Sequence, residues 1–150
     1  MNTIRRKILN LTQHPAAPGQ GVIDLVGKEL ESLKIALTFY ALPTPKEVSE
    51  RADHIAELAC MHGLGSGDDD PIPTAAMIGG APCLMAPLER SLRAVGIEPL
   101  YSFSIRESVE EAQADGSVRK VDVFRHVGFI PAVEEDPHVW EWGDDDRRPH

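Results

Sequence analysis

Residues Ser104–Phe129 read SIRESVEEAQADGSVRKVDVFRHVGF, and the way this stretch folds decides the architecture of the chain's end. Asp115-Gly116 is a tight-turn pair between two extended runs, a strong short-range hairpin signal. Just upstream, Tyr101, Phe103 and Ile105 take odd positions, while Ser102, Ser104, Arg106 and Ser108 take even ones. Downstream, Val121, Val123, Val127 and Phe129 are odd, against Lys120, Asp122, Phe124 and His126. Side chains alternate between the two faces of a strand. Each strand therefore has an apolar face and a second face rich in hydrogen-bonding groups. If the two polar faces point the same way, Arg106, Lys120 and His126 converge, with Arg125 beside them. An ordinary edge ribbon alternates in the same manner. Two readings stand: a solvated ribbon, or a ribbon with one side lining a site for an anion.

Working backwards, strands and helices alternate. Glu98–Ser108 reads as a strand, and CLMAPLERSLRAVG before it as a helix with Leu84, Leu88, Leu92 and Val95 on one face and Gly96 as its stop. Pro87 marks the first turn of that helix or kinks it. AAMIGGAP is a short buried strand ending in a glycine pair. The clearest helix begins at Thr44, a good N-cap, with Pro45 at the first helical position and Glu47 completing a capping box. Val48, Ala52, Ile55, Ala56 and Ala59 recur on its inner face, and Gly63 can end it. GKELESLKIALTFYALP reads as a helix and a short strand, and Lys7–Leu11 as the first strand, running into a turn closed by Pro15. Strand–helix alternation predicts an α/β domain: a three-layer, Rossmann-like parallel sheet finished by a C-terminal antiparallel hairpin. Residues 1–133 form this single domain, and 134–150 an acidic tail.

Composition narrows the partners. The chain has 150 residues and is 42% hydrophobic, enough for one cored domain. Aromatics are scarce at 5%, so Leu, Ile, Val, Ala and Met must build the core. No apolar run approaches the roughly 20 residues of a membrane span, and the apolar part of the start is shorter than a signal peptide's core. A cytoplasmic protein without membrane association is expected. The net charge of −9 is concentrated: residues 134–150 contribute −5 and Asp68–Asp70 −3, leaving the rest near balance. That argues against double-stranded nucleic acid, which needs a clustered basic face. It does not exclude a small phosphorylated ligand held by a few cations. Cys60 and Cys83 lack metal-type spacing and read as buried free thiols. No metal or cofactor is expected.

Ligands of open parallel α/β sheets bind beyond the carboxyl ends of the strands. Three such ends are polar or glycine-rich. The first offers Asn10, Thr12, Gln13 and His14; the second Gly79, Gly80 and Ala81; the third Ser102, Ser104, Arg106 and Ser108. Gly79-Gly80 either permits a tight strand-to-helix turn or brings amides to a phosphate, without the lysine of a P-loop or a full dinucleotide fingerprint. His14 caps a turn or faces a ligand. His54 and His62 read as surface residues, and Asp68–Asp70 as solvated acids.

The terminal block FSIRESVEEAQADGSVRKVDVFRHVGF combines a strand ending in a polar residue and Arg, a DGSVRK turn, and an aromatic-x-His ending. It resembles the small CRISPR-associated ring nucleases, compact relatives of the CRISPR-associated Rossmann fold (CARF) domain. NLTQHPAAPGQ is similar to that family's first strand and turn. The resemblance implies a homodimer that binds cyclic oligoadenylate across its two-fold axis and cleaves the ring, switching off antiviral signalling. The implied chemistry is metal-independent: a ribose 2′-hydroxyl attacks the adjacent phosphorus in line, helped by orientation and by donors at the phosphate oxygens. In that scheme the Gly79 and Gly80 amides, Arg106 and Lys120 hold phosphate oxygens, His126 or His14 moves a proton, and Asn10, Thr12 and Gln13 grip ribose or base. Ala81, Ser104 and Arg125 complete the expected binding set. Two alternatives are a module that captures such a nucleotide without cutting it, as sponge or sensor, and a small protein-interaction module.

Overall fold

A computed structural model describes residues 7–17, 19–65 and 73–132. The Asp68–Asp70 run and the acidic tail lie outside the described residues. Within them the order is β1 (Ile8–Leu11), β2 (Ile23–Asp24), α1 (Gly27–Leu37), α2 (Pro45–Gly65), β3 (Ala75–Ile78), α3 (Pro82–Ala94), β4 (Glu98–Ala112) and β5 (Val118–Pro131). The strands form one sheet in the order β2-β1-β3-β4-β5. Strands β2, β1, β3 and β4 run parallel, and β5 is antiparallel to β4. The α/β class, the parallel core and the terminal hairpin are as expected.

Local signals explain the helices. Thr44 caps α2, its Oγ1 accepting from the Glu47 N–H at 3.1 Å. The Glu47 carboxylate does not close the other half of the box; it accepts from Arg51 at 2.8 Å, one turn on. The helix runs two residues past Gly63, the expected stop. Pro82 opens α3 where a missing N–H costs nothing. Pro87 lies inside that helix, and Leu84, Leu88 and Leu92 stay fully buried along it. The expected strand after α1 does not form. Thr38 instead turns its hydroxyl onto the Lys34 carbonyl at 2.7 Å, and Tyr40 and Leu42 are exposed with no neighbouring strand to bury them. The two-residue strand β2 carried no periodicity in the sequence; it exists through its pairing with Leu9 and Asn10.

One face of the sheet carries the core. Leu9 and Leu11 lie beside Ala76 and Ile78 in register, and all four join Leu33, Leu37, Ile55, Leu84 and Leu88 in one cluster. Burying each leucine-sized side chain contributes about 2 kcal/mol. Helix α2 packs on both α1 and α3, so all three helices lie in one layer. The expectation of three layers is therefore corrected to two among the described residues. The reason is local: the link from β1 to β2 contains no helix to cover the opposite face. On that opposite face Asn10, Met77 and Leu100 stand side by side in register, all buried.

The hairpin projects. Only Glu98–Leu100 of β4 pairs with β3; from Ser102 outward β4 and β5 pair only with each other. The turn forms at Asp115-Gly116, with Gly116 at a φ of 85° that favours glycine. The Ser117 hydroxyl and N–H both donate to the Asp115 carboxylate and hold it below the usual carboxylate range. A register shift places Phe103 opposite Gly128 but Ser104 opposite His126, leaving Val127 as an extra residue. This bulge decides which face His126 joins. In an unbroken register Ser104 would face Val127, and His126 would point to the other side.

Candidate functional site

The strand order reverses between β1 and β3, and such a reversal opens a crevice beyond the carboxyl ends of the strands. A cavity of about 610 Å³ lies there. Its walls come from three segments far apart in sequence: the loop after β1, the glycine turn after β3, and the even-numbered face of the hairpin. Met77 floors it.

The first wall is a locked loop. Asn10 is 3% exposed, and its side chain uses all of its hydrogen-bonding capacity internally. Nδ2 donates to the His14 carbonyl and to Asp24 Oδ1, both at 2.7 Å. Oδ1 accepts from the Thr12 N–H at 3.0 Å and from the Thr12 hydroxyl at 2.7 Å. Asp24 also accepts the Ala16 N–H at 3.1 and 3.2 Å. Asn10 is therefore a scaffold that folds residues 12–16, with no group left to grip a ribose or base. Thr12, Gln13 and His14 line the cavity.

The second wall is Gly79-Gly80. Gly80 has φ 149°, a conformation essentially reserved for glycine, although a Cβ there would meet nothing closer than 3.7 Å. The requirement is conformational, not spatial. Gly79 and Gly80 border the cavity. Ala81 is the N-cap of α3 and stands behind them, outside the lining; it offers no side-chain oxygen to the first turn.

The hairpin supplies the third wall with Ser102, Ser104, Phe124 and His126. His126 Nδ1 lies 2.9 Å from Ser102 Oγ, and its ring packs at 4.8 Å against Phe129. Gln20, from the Pro- and Gly-rich passage, reaches across 82 positions to place Nε2 3.4 Å from Ser102 Oγ. Tyr101 closes the helix side, donating to Glu89 at 3.2 Å. Burial first, and the Glu89 charge second, push its hydroxyl up to about 12.

The expected convergence of Arg106, Lys120 and His126 does not occur. All three share the even face, but period two fixes a face and not a distance along it. Lys120 pairs opposite Glu110, six residues and about 20 Å outward from Ser104. Arg106 turns to the Asp122 carboxylate, which also accepts from Ser108 at 2.9 Å. Arg125 stands on the other face, opposite Ile105, and donates to Glu107 at 2.9 Å. Among the described residues, no Lys or Arg lines this cavity; Lys34 borders a smaller one, about 300 Å³, behind the same loop. Sequence reasoning missed Gln20 and Met77. Gln20 sits in a passage without periodicity, so nothing marked it. Of the remaining singled-out residues, His54 is exposed, whereas His62 is half-buried against Glu29 of α1. Cys60 is half-buried and Cys83 exposed, correcting the expectation of two buried thiols. No helix among the described residues is long and apolar enough to cross a membrane.

One known family profile matches residues 6–130, from before β1 to the penultimate residue of β5. The chain belongs to the uncharacterized protein MJ1673 family. Comparison with curated proteins and with solved structures returns no match. Every residue bordering the larger cavity falls inside the MJ1673-family match.

Proposed function

We propose that the chain binds a cyclic oligonucleotide second messenger, cyclic oligoadenylate first, in the β1/β3 crevice and opens its ring as a metal-independent, CARF-like ring nuclease. One observation carries the reading. Two imidazoles, a glycine turn and several hydroxyl and amide groups from three remote segments border one cavity of about 610 Å³. That volume falls within the roughly 300–1,000 Å³ typical of small-ligand sites. One nucleotide unit would occupy it, with its phosphodiester against Gly79-Gly80 and His126. The ribose 2′-hydroxyl would attack phosphorus in line, and the bond from phosphorus to the 5′ oxygen would break. A base takes the 2′ proton, the departing oxygen gains one, and a 2′,3′-cyclic phosphate results. A homodimer would offer a ring two such crevices. The partly exposed Phe103, Val109 and Val123, on the hairpin face away from the cavity, support contact with a second copy.

The absence of a fixed cation from the described lining favours a second reading, a sponge or sensor that captures the nucleotide uncut. Incubation with a panel of cyclic oligonucleotides, read by mass spectrometry and thermal shift, separates the possibilities. Cleavage supports the ring nuclease. Stabilisation with an intact ring supports the sponge. Neither response from any member of the panel would sink both and leave a protein-interaction module. Light scattering of the same samples tests the homodimer.

A further inference from the structure

We propose that Gln20 and Ser102 set the tautomer of His126, so that its Nε2 carries the hydrogen and meets an anionic ligand oxygen as a donor, not as a base. The direction of the first hydrogen bond follows from a backbone group that can only donate. The Ala17 N–H donates to Gln20 Oε1 at 2.8 Å, which turns the amide nitrogen, not the oxygen, toward Ser102. Gln20 Nε2 therefore donates and Ser102 Oγ accepts. A hydroxyl has a single hydrogen to give. In the proposed relay that hydrogen goes to His126 Nδ1, 2.9 Å away, and the nitrogen accepts. The neutral ring then has its hydrogen on Nε2. The Phe129 ring packs against the imidazole at 4.8 Å, and the imidazole itself borders the cavity.

The consequence is a division of labour between the two cavity histidines. With its hydrogen on Nε2, His126 has no lone pair there to take a proton from a 2′-hydroxyl. It can hold a phosphate oxygen, in a lining without Lys or Arg among the described residues. His14 is left as the imidazole that can accept the proton. Gln20 and Ser102 are positioning residues. The identity of the anion rests on the proposed function, but the tautomer is a property of the free protein.

The test reads that tautomer directly. Long-range proton–nitrogen correlation spectra of the labelled full chain, without ligand at about pH 8, distinguish protonated from bare ring nitrogens. His126→Gln assigns the signals by their loss. The wild type should show His126 with Nε2 protonated and Nδ1 bare. Ser102→Ala should give a mixture of tautomers. Gln20→Glu should invert the preference: the carboxylate accepts the Ser102 hydrogen, and Ser102 then accepts from Nδ1–H. Nδ1 protonated in the wild type, or an unchanged ratio in both variants, would overturn the relay. Binding of cyclic tetra-adenylate adds a second readout. His126→Gln keeps an amide donor and should bind within about threefold of wild type, whereas His126→Ala should lose about tenfold. Equal loss in the two variants would refute the donor role. Absence of any cyclic-nucleotide binding would sink the proposed function and leave the spectroscopic result standing.

Discussion

Asn10→Ala tests whether the first wall of the cavity is built from within. The substitution removes four hydrogen bonds from a side chain only 3% exposed. Three are between neutral groups, each worth about 0.5–1.5 kcal/mol net, and the one to Asp24 is charge-assisted, about 1.5–3 kcal/mol. A plain sum overstates the loss, because the four share partners in one network. The Ala16 N–H also continues to serve Asp24, and the Thr12 hydroxyl, 3.1 Å from the His14 carbonyl, can turn its hydrogen there. We expect a loss of about 3–5 kcal/mol, a large share of the roughly 5–15 kcal/mol a domain of this size possesses. Urea unfolding should show a lower midpoint with an unchanged slope. Asn10→Leu fills the volume and should fare no better, because it leaves the Thr12 N–H and one Asp24 lone pair without a protein partner. A ligand-gripping Asn10 predicts the opposite pattern: affinity lost and stability kept. A midpoint shift worth less than about 1 kcal/mol would refute the scaffold role.

Gly80→Ala should cost about 1–3 kcal/mol from its φ of 149°, whereas Gly79→Ala, whose nearest new contact is an ordinary 3.5 Å, should cost less than about 1 kcal/mol; thermal melts that rank them equally would contradict the turn geometry. Arg106→Ala should leave cyclic-nucleotide affinity within about threefold and stability within about 1 kcal/mol, since Arg106 is spent on an exposed pair with Asp122. A tenfold loss of affinity would put it back in the site. Tyr101→Phe should change the alkaline limb of stability. Because the folded protein raises the Tyr101 hydroxyl from 10.0 to about 12, its contribution is complete below pH 10 and falls as pH rises toward 12. The wild type should thus lose stability relative to the variant across that window in denaturant titrations, and parallel curves would show that burial and Glu89 do not raise the hydroxyl.

What could be read in the sequence was whatever local chemistry decides. Thr44 caps because its hydroxyl meets an N–H three residues on, and Asp115-Gly116 turns because glycine tolerates a positive φ. The buried stripe of α2, Val48 to Ala59, follows from helical period alone. The three strand ends met at one cavity because parallel sheets place their carboxyl ends together. What escaped was decided by long-range pairing. Two residues, Ile23 and Asp24, become a strand only beside β1. Asn10 looked like a ligand group until Asp24, 14 positions away, was seen to claim it. The layer count failed because a helix-free link leaves one face of the sheet to other elements. Lys120 shares the face of His126 but lies too far along the strand to reach it, and Arg106 is claimed by Asp122, a cross-strand partner that parity does not reveal.

The bulge at Val127 ties these observations together. The hairpin carries both signs of charge, and the structure spends them across the strands: Arg106 on Asp122, Arg125 on Glu107, and Lys120 opposite Glu110. Such pairs lie outward from the cavity, on the part of the hairpin that pairs with no other strand. What the hairpin contributes to the crevice is its inner end, where the extra residue rotates His126 onto the face already holding Ser102 and Ser104 and brings Phe129 against its ring. The same shift sets His126 beside Ser102, and Gln20 then ties that pair to the loop that Asn10 and Asp24 lock. One inserted valine thus converts a parity that would point the imidazole away from the crevice into one that delivers it there. On the proposed reading, an anion bound at this place would be met by neutral, directional donors oriented before it arrives. That is the condition under which hydrogen bonds alone can discriminate an anion's geometry.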